Sequence, residues 1–257
     1  MPARPPRTAG FTLIELLVVL GIIGVLMAIL LPALSAARFH AAAVQGLSNL
    51  GQIGRAVLAY VDDHERDLPV GYVVDPARPS DDTNWTTLLH GYLSGGGMTD
   101  VGLDPSTFLP IFIDPNAALR SGRVHYSAHP ALMPDLTRDA DGSIIRPIKR
   151  PYPVDRLVRG AQIVLVMDGS QDPANQSNSH ATVWRMDGER IWDQWIYDAG
   201  QFDNGEPIAP GPNVDAADAA GHIRWRQPAE TANFLYADGH AATKGQDEIT
   251  KASVRVD

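Results

Sequence analysis

From Phe11 to Leu31 the chain reads FTLIELLVVLGIIGVLMAILL, a stretch in which Glu15 is the only formal charge. As a helix rising about 1.5 Å per residue, such a run extends roughly 31 Å, close to the roughly 30 Å of hydrocarbon in a bilayer. It is read as a membrane span. Arg4 and Arg7 precede it and no acid does, so the positive-inside rule places the N-terminus in the cytoplasm and the bulk of the chain outside, with the head in the periplasm or at the cell surface.

The chain beyond the span is long enough, in a protein of 257 residues of which 44% are hydrophobic, to build a folded head with its own core. Lys and Arg number 21 against 30 Asp and Glu, for a net charge of -9. That balance excludes nucleic acid as an electrostatic partner. With no cysteine, disulfides, thiolate zinc sites, iron-sulfur clusters and a cysteine nucleophile are excluded as well.

Glu15 is the informative residue. Two plain readings of the span compete: a secretory signal with Ala33-Leu34-Ser35 as its cleavage site, and a simple anchor. A secretory apolar region runs about 7 to 15 residues and carries no acid. An acid at mid-bilayer costs about 2.5 to 3.5 kcal/mol, and less near the interface, so a carboxylate here points to a positively charged partner.

Gly10 followed by FTLIELLVVLGIIGVLMAILLPALSAAR resembles the processing and methylation segment of type IV pilins and type II secretion pseudopilins. The resemblance implies cleavage between Gly10 and Phe11 by a prepilin peptidase, N-methylation of Phe11, and pairing of Glu15 with the Phe11 ammonium of a neighbouring subunit. It also implies other pilin-like subunits, an assembly ATPase and a platform membrane protein as partners.

Pro32 removes one ladder hydrogen bond and is expected to kink the helix without ending it. Beyond it Leu47, Leu50, Ile53, Val57, Leu58 and Val61 recur at three- and four-residue spacing, which predicts an amphipathic continuation to Asp62 or Asp63 packed on the head. After Asp63 the pattern changes to short runs: GYVV, FLPIFI, RVHYSA, AQIVLVMD, ATVWRMD, ERIWDQWIYD, HIRW and NFLYAD. These predict strands, with one short helix over Asn84 to Leu93 and hairpin turns at Asp187-Gly188 and Asp238-Gly239. The stretches 171–179 and 202–220 read as surface loops. The expected fold is α+β and pilin-like: a long N-terminal helix packed on an enlarged antiparallel sheet. Its divisions are a leader at 1–10, a transmembrane part at 11–34, an amphipathic part at 35–63 and a β-rich head at 64–257.

LSNLGQIGRAVLAYVDDHERDLP, from Leu47 to Pro69, and NFLYADGHA, from Asn233 to Ala241, resemble a large bacterial subfamily of prepilin-like proteins with a C-terminal Asp-Gly motif. The chain departs from that pattern twice. Gly46 stands where members commonly have a cysteine, and Pro228 where they have a histidine followed by nine residues and the Asp-Gly, so no role of that histidine carries over.

Other candidate chemistry is weaker than its structural alternatives. His125 and His129 lie in RVHYSAHP, which reads as a strand entering a proline turn, and His240 sits beside Asp238; no metal-ligand spacing joins them. Asp139 and Asp141 resemble the start of a calcium loop but lack the downstream bidentate Glu, so an Asp-Gly turn is the favoured reading. Trp184, Trp192, Trp195 and Trp225, with Tyr197 and Tyr236, could line a sugar-binding face or fill a sheet core. Asp168-Gly169-Ser170 lacks a nucleophile elbow. The expected function is a non-enzymatic filament subunit without a cofactor, and the alternative is a membrane-tethered module that binds a glycan or another ligand.

Overall fold

The computed structural model describes residues 12–73, 83–94, 109–119, 124–136, 150–171, 173, 205, 207–208, 211, 213–216, 222–254 and 256. Helix α1 spans Leu13–Asp63 and continues through Pro32. The chain divides into two compact units between Ala41 and Ala42, a boundary that falls within α1. In the first unit the apolar side chains of α1 face outward: Leu16, Leu20, Leu26 and Leu30 are all exposed.

In the second unit α1 turns one face inward. Leu50, Ile53, Val57 and Val61 are buried, as the spacing predicts, together with Ala43, Asn49 and Ala56. Leu47 is only half-buried and Leu58 is exposed, so the stripe is narrower than its apolar residues suggest. The helix stops where Arg66 N–H reaches back to the Val61 carbonyl at 3.1 Å, with Glu65 and Arg66 in the left-handed region.

Four strands pair antiparallel in the order β3-β4-β5-β6: β3 is Tyr126–Ala128, β4 Val164–Asp168, β5 Ala232–Tyr236 and β6 Ala241–Lys244. Every residue of β4 and β5 is buried, polar Asp168 and Asn233 included, so the central strands of the sheet are covered on both faces. Leu165, Val166 and Leu235 join the core with α1, whereas Val164, Met167, Phe234 and Tyr236 pack with Ile208, Ile223, Trp225 and Ile249 on the other face. A register shift between Val164 and Val166 explains why consecutive Leu165 and Val166 share one side.

A second, two-stranded sheet pairs β1 (Tyr72–Val73) with β2 (Thr83–Asn84). Asn84 also caps α2 (Trp85–Leu88), which is followed by α3 (His90–Ser94); together they occupy the predicted short helix. Helix α4 spans Lys251–Val254.

The structure alters three of the local expectations. In FLPIFI the residues Pro110–Phe112 form a 3-10 turn, because Pro110 opens it and Phe112 is drawn against Trp85, ring centroids 5.4 Å apart. HIRW is no strand: Ile223 makes one isolated bridge, to Gly169. The Asp238-Gly239 hairpin exists, but with a three-residue loop, in which Gly239 N–H closes a turn to the Tyr236 carbonyl at 2.9 Å and Gly239 adopts φ +91°. The Asp187-Gly188 turn and the runs ATVWRMD and ERIWDQWIYD lie outside the described residues.

Candidate functional site

Two polar arrangements stand out against these apolar surroundings. The first is at the start of α1. Thr12 precedes the first helical residue and Glu15 stands three residues later, the spacing of a capping box. Glu15 Oε2 accepts from the Thr12 backbone N–H at 2.9 Å and from the Thr12 hydroxyl at 2.8 Å, while Glu15 N–H donates to Thr12 Oγ1 at 3.3 Å. The carboxylate therefore has partners inside its own chain. Both donors use Oε2, which leaves Oε1 without a hydrogen bond among the described residues.

The second arrangement is buried in the head. Gln227 Nε2 donates one hydrogen to Asp114 Oδ2 at 3.0 Å and the other to Asp168 Oδ2 at 2.8 Å, and Gln227 Oε1 accepts from Asn116 Nδ2 at 2.7 Å. The amide is saturated, and its flipped orientation would set oxygen against two carboxylates. Arg226 Nε lies 3.4 Å from Asp114, and its Nη2 donates to the Gly169 carbonyl and lies 3.7 Å from Asp215. Asp168 Oδ2 also accepts from Asn233 N–H at 2.9 Å, and Asn233 Nδ2 donates to the Ala43 carbonyl of α1 at 3.3 Å. One chain of hydrogen bonds thus ties a buried carboxylate to the helix.

Burial pushes the Asp168 carboxyl up to about 8, and the neighbouring Asp114 charge adds to the effect while Arg226 opposes it. Asp114 is raised too, again chiefly by burial and against the pull of Arg226. Near neutrality Asp168 is therefore mostly protonated, which reduces the repulsion between the two acids. The network ties distant segments of the head together, while among the described residues Asp168 Oδ1 and Arg226 Nη1 are buried without a hydrogen-bond partner.

The other candidate residues serve the fold. His129 accepts from Ala131 and Leu132 N–H through Nδ1 and donates from Nε2 to the Val254 carbonyl at 2.7 Å, so both nitrogens are occupied; burial lowers it to about 4. His125 Nδ1 accepts from Asp114 N–H at 3.1 Å. His240 stacks on Tyr236 and meets Asp238 Oδ1 at 2.6 Å. No group of three or more metal-binding side chains occurs among the described residues. Trp225 is buried, 5.7 Å from Phe234. Ser170 is buried and its N–H donates to the His222 carbonyl. Gly10, Phe11, Asp139, Asp141, Trp184, Trp192, Trp195 and Tyr197 lie outside the described residues.

Sequence reasoning passed over the Thr12–Glu15 box, although T-x-x-E before an apolar run was its signal. It also passed over Asp114, Arg226 and Gln227, which no spacing connects. Gly46 and Pro228, where the chain departs from the Asp-Gly subfamily, both border this network. A Cβ at Gly46 would stand 3.1 Å from Asn233 Nδ2 and 3.4 Å from Asp114 Oδ1, so a cysteine enters only if Asn233 moves. Pro228 opens the turn directly after Gln227.

Comparison with known families matches residues 5–31 to the prokaryotic N-terminal methylation motif. No curated protein and no solved structure matches the chain. The motif supports a prepilin-like protein and indicates a type IV pilin-like or pseudopilin-like precursor. The single apolar helix at the start of the described residues is long enough to serve as a single-pass anchor.

Proposed function

We propose that the chain is the precursor of a structural, non-enzymatic prepilin-like subunit that enters a pilus or type II secretion-like filament. A prepilin peptidase cuts between Gly10 and Phe11, and the new Phe11 amine is methylated. Residues 11–34 hold the subunit in the cytoplasmic membrane, residues 35–63 continue the helix, and the head at 64–257 lies outside. An assembly ATPase and a platform membrane protein then drive its union with other pilin-like subunits, in a subfamily marked by the C-terminal Asp238-Gly239.

The observation that carries this reading is the methylation motif at residues 5–31, which runs directly into an outward-facing apolar helix. The geometry at Glu15 supports the assembly step. Thr12 engages Oε2, and Oε1 is left to accept an ammonium from another chain, which removes the cost of an unpaired charge in a dry helix bundle.

Intact-mass analysis of the native protein tests the reading: a mature chain beginning at methylated Phe11 is expected. A mature N-terminus near Ala36 would overturn it in favour of secretory processing. The glycan-binding alternative gains nothing from Trp225, which fills the core.

A further inference from the structure

We infer that Arg38 binds the phosphate of a phospholipid in the outer leaflet, and so fixes the depth at which α1 sits in the membrane. Between Glu15 and Arg55 it is the only formal charge in the sequence. Glu15 and Arg38 stand 23 positions apart on one continuous helix, a separation of about 35 Å at 1.5 Å per residue. A hydrocarbon layer of roughly 30 Å fits between them, within a bilayer of about 40 to 45 Å including its headgroups. Each charge then falls in a headgroup layer and neither in the hydrocarbon, where an arginine is costly. With the N-terminus in the cytoplasm, Arg38 belongs to the outer layer, one cation there against Arg4 and Arg7 inside.

The surroundings of Arg38 suit that ligand. Its side chain is exposed and makes no ion pair or hydrogen bond among the described residues. The nearest acids of α1 are Glu15 and Asp62, 23 and 24 positions away, so the helix offers it no carboxylate. Side chains of a helix lean toward its N-terminus, which turns the Arg38 stem back along α1 toward the bilayer and carries the guanidinium down to the phosphates. One turn away stand Leu34, Ser35, Ala41 and Ala42, three of them small, so a headgroup can approach. The planar fork of the guanidinium matches two phosphate oxygens at once, and the exposed ring of Phe39 adds an aromatic side chain at the same level. The inference rests on the proposed placement of residues 11–34 in the membrane.

The test places the full chain, labelled with carbon-13 at the arginine guanidino carbon, in phosphatidylglycerol and phosphatidylethanolamine bilayers in phosphate-free buffer. Solid-state NMR then reads dephasing of that carbon by lipid phosphorus. The expected result is a dephased component in the wild type that is lost in Arg38→Gln. Arg38→Lys, which keeps the charge for insertion and has no guanidino carbon, makes the same subtraction should the glutamine chain fail to insert. Because the sequence has no cysteine, a spin label at Val25→Cys reports the depth of the span without interference. A label in the hydrocarbon together with dephasing equal in wild type and variant overturns the lipid assignment and leaves the proposed anchor standing; Arg38 is then left to a carboxylate of another chain. A label in water overturns the membrane placement, and the inference falls with it.

Discussion

Thr12 and Glu15 are bonded in both directions, the hydroxyl of Thr12 donating to Glu15 Oε2 at 2.8 Å while Glu15 N–H donates to Thr12 Oγ1 at 3.3 Å. A carboxylate that looks isolated in an apolar run therefore serves two ends, as a cap within its own chain and as a proposed partner for an ammonium on the next.

Two substitutions separate these roles. Glu15→Gln preserves the reciprocal cap and removes the charge; Glu15→Ala removes both. Cleavage at Gly10 should persist in both, and both should fail to enter sheared filaments. Only Glu15→Ala should lose amide-exchange protection at the start of α1, at the Thr12 N–H that Glu15 Oε2 accepts. A plain anchor would show the opposite: intact function and better membrane retention without the acid.

Stability should fall as pH rises from 6.5 to 8. The raised Asp168 contributes stability that is fully present below its ordinary 3.8 and lost as pH climbs through about 8. The depressed His129 contributes stability present above 6.5 and lost as pH falls through about 4. Between 4 and 6.5 the two slopes, each at most about 1.4 kcal/mol per pH unit, oppose each other. Above 6.5 His129 no longer opposes the loss, which Asp168 brings to about 2 kcal/mol by pH 8. Urea midpoints of the full chain in detergent at pH 5, 6.5 and 8 measure this, and Asp168→Asn should flatten the upper window.

Ala229 and Glu230 both sit in the left-handed region, at φ 60° and 54°, in the turn that returns the chain from Gln227 to Thr231. L side chains there cost about 1 to 2 kcal/mol each, against about 0.5 to 1 for the extra freedom glycine loses on folding. Replacing either by glycine should stabilise the head by up to about 1 kcal/mol per site, read as a raised thermal midpoint.

Two glycines of α1 should respond oppositely to alanine. A Cβ at Gly54 would meet Leu235 Cδ1 at 2.7 Å and the Gly239 carbonyl at 2.8 Å. Overpacking of about 1 to 3 kcal/mol there outweighs the gain in helix propensity of about 1. Gly51 faces open space, so Gly51→Ala should stabilise by up to about 1 kcal/mol. Chemical denaturation of the two variants reads both signs.

What the sequence determined by itself is local or periodic. The apolar run, the methylation motif, the end of α1 near Asp63, the short helix from Asn84 and the Asp238-Gly239 hairpin depend on residues within a few positions of one another, or on a repeat of 3.6. What only the tertiary structure decided depends on contacts between distant segments. Gln227 reaches Asp114 across 113 positions and Asp168 across 59, and Asn233 reaches Ala43 across 190. No spacing announces such pairs, because the loops that carry them are aligned only once the sheet has formed against α1. The same reason sent Phe112 of FLPIFI into a 3-10 turn against Trp85, and buried the sheet on both faces where strand periodicity could show only that strands exist.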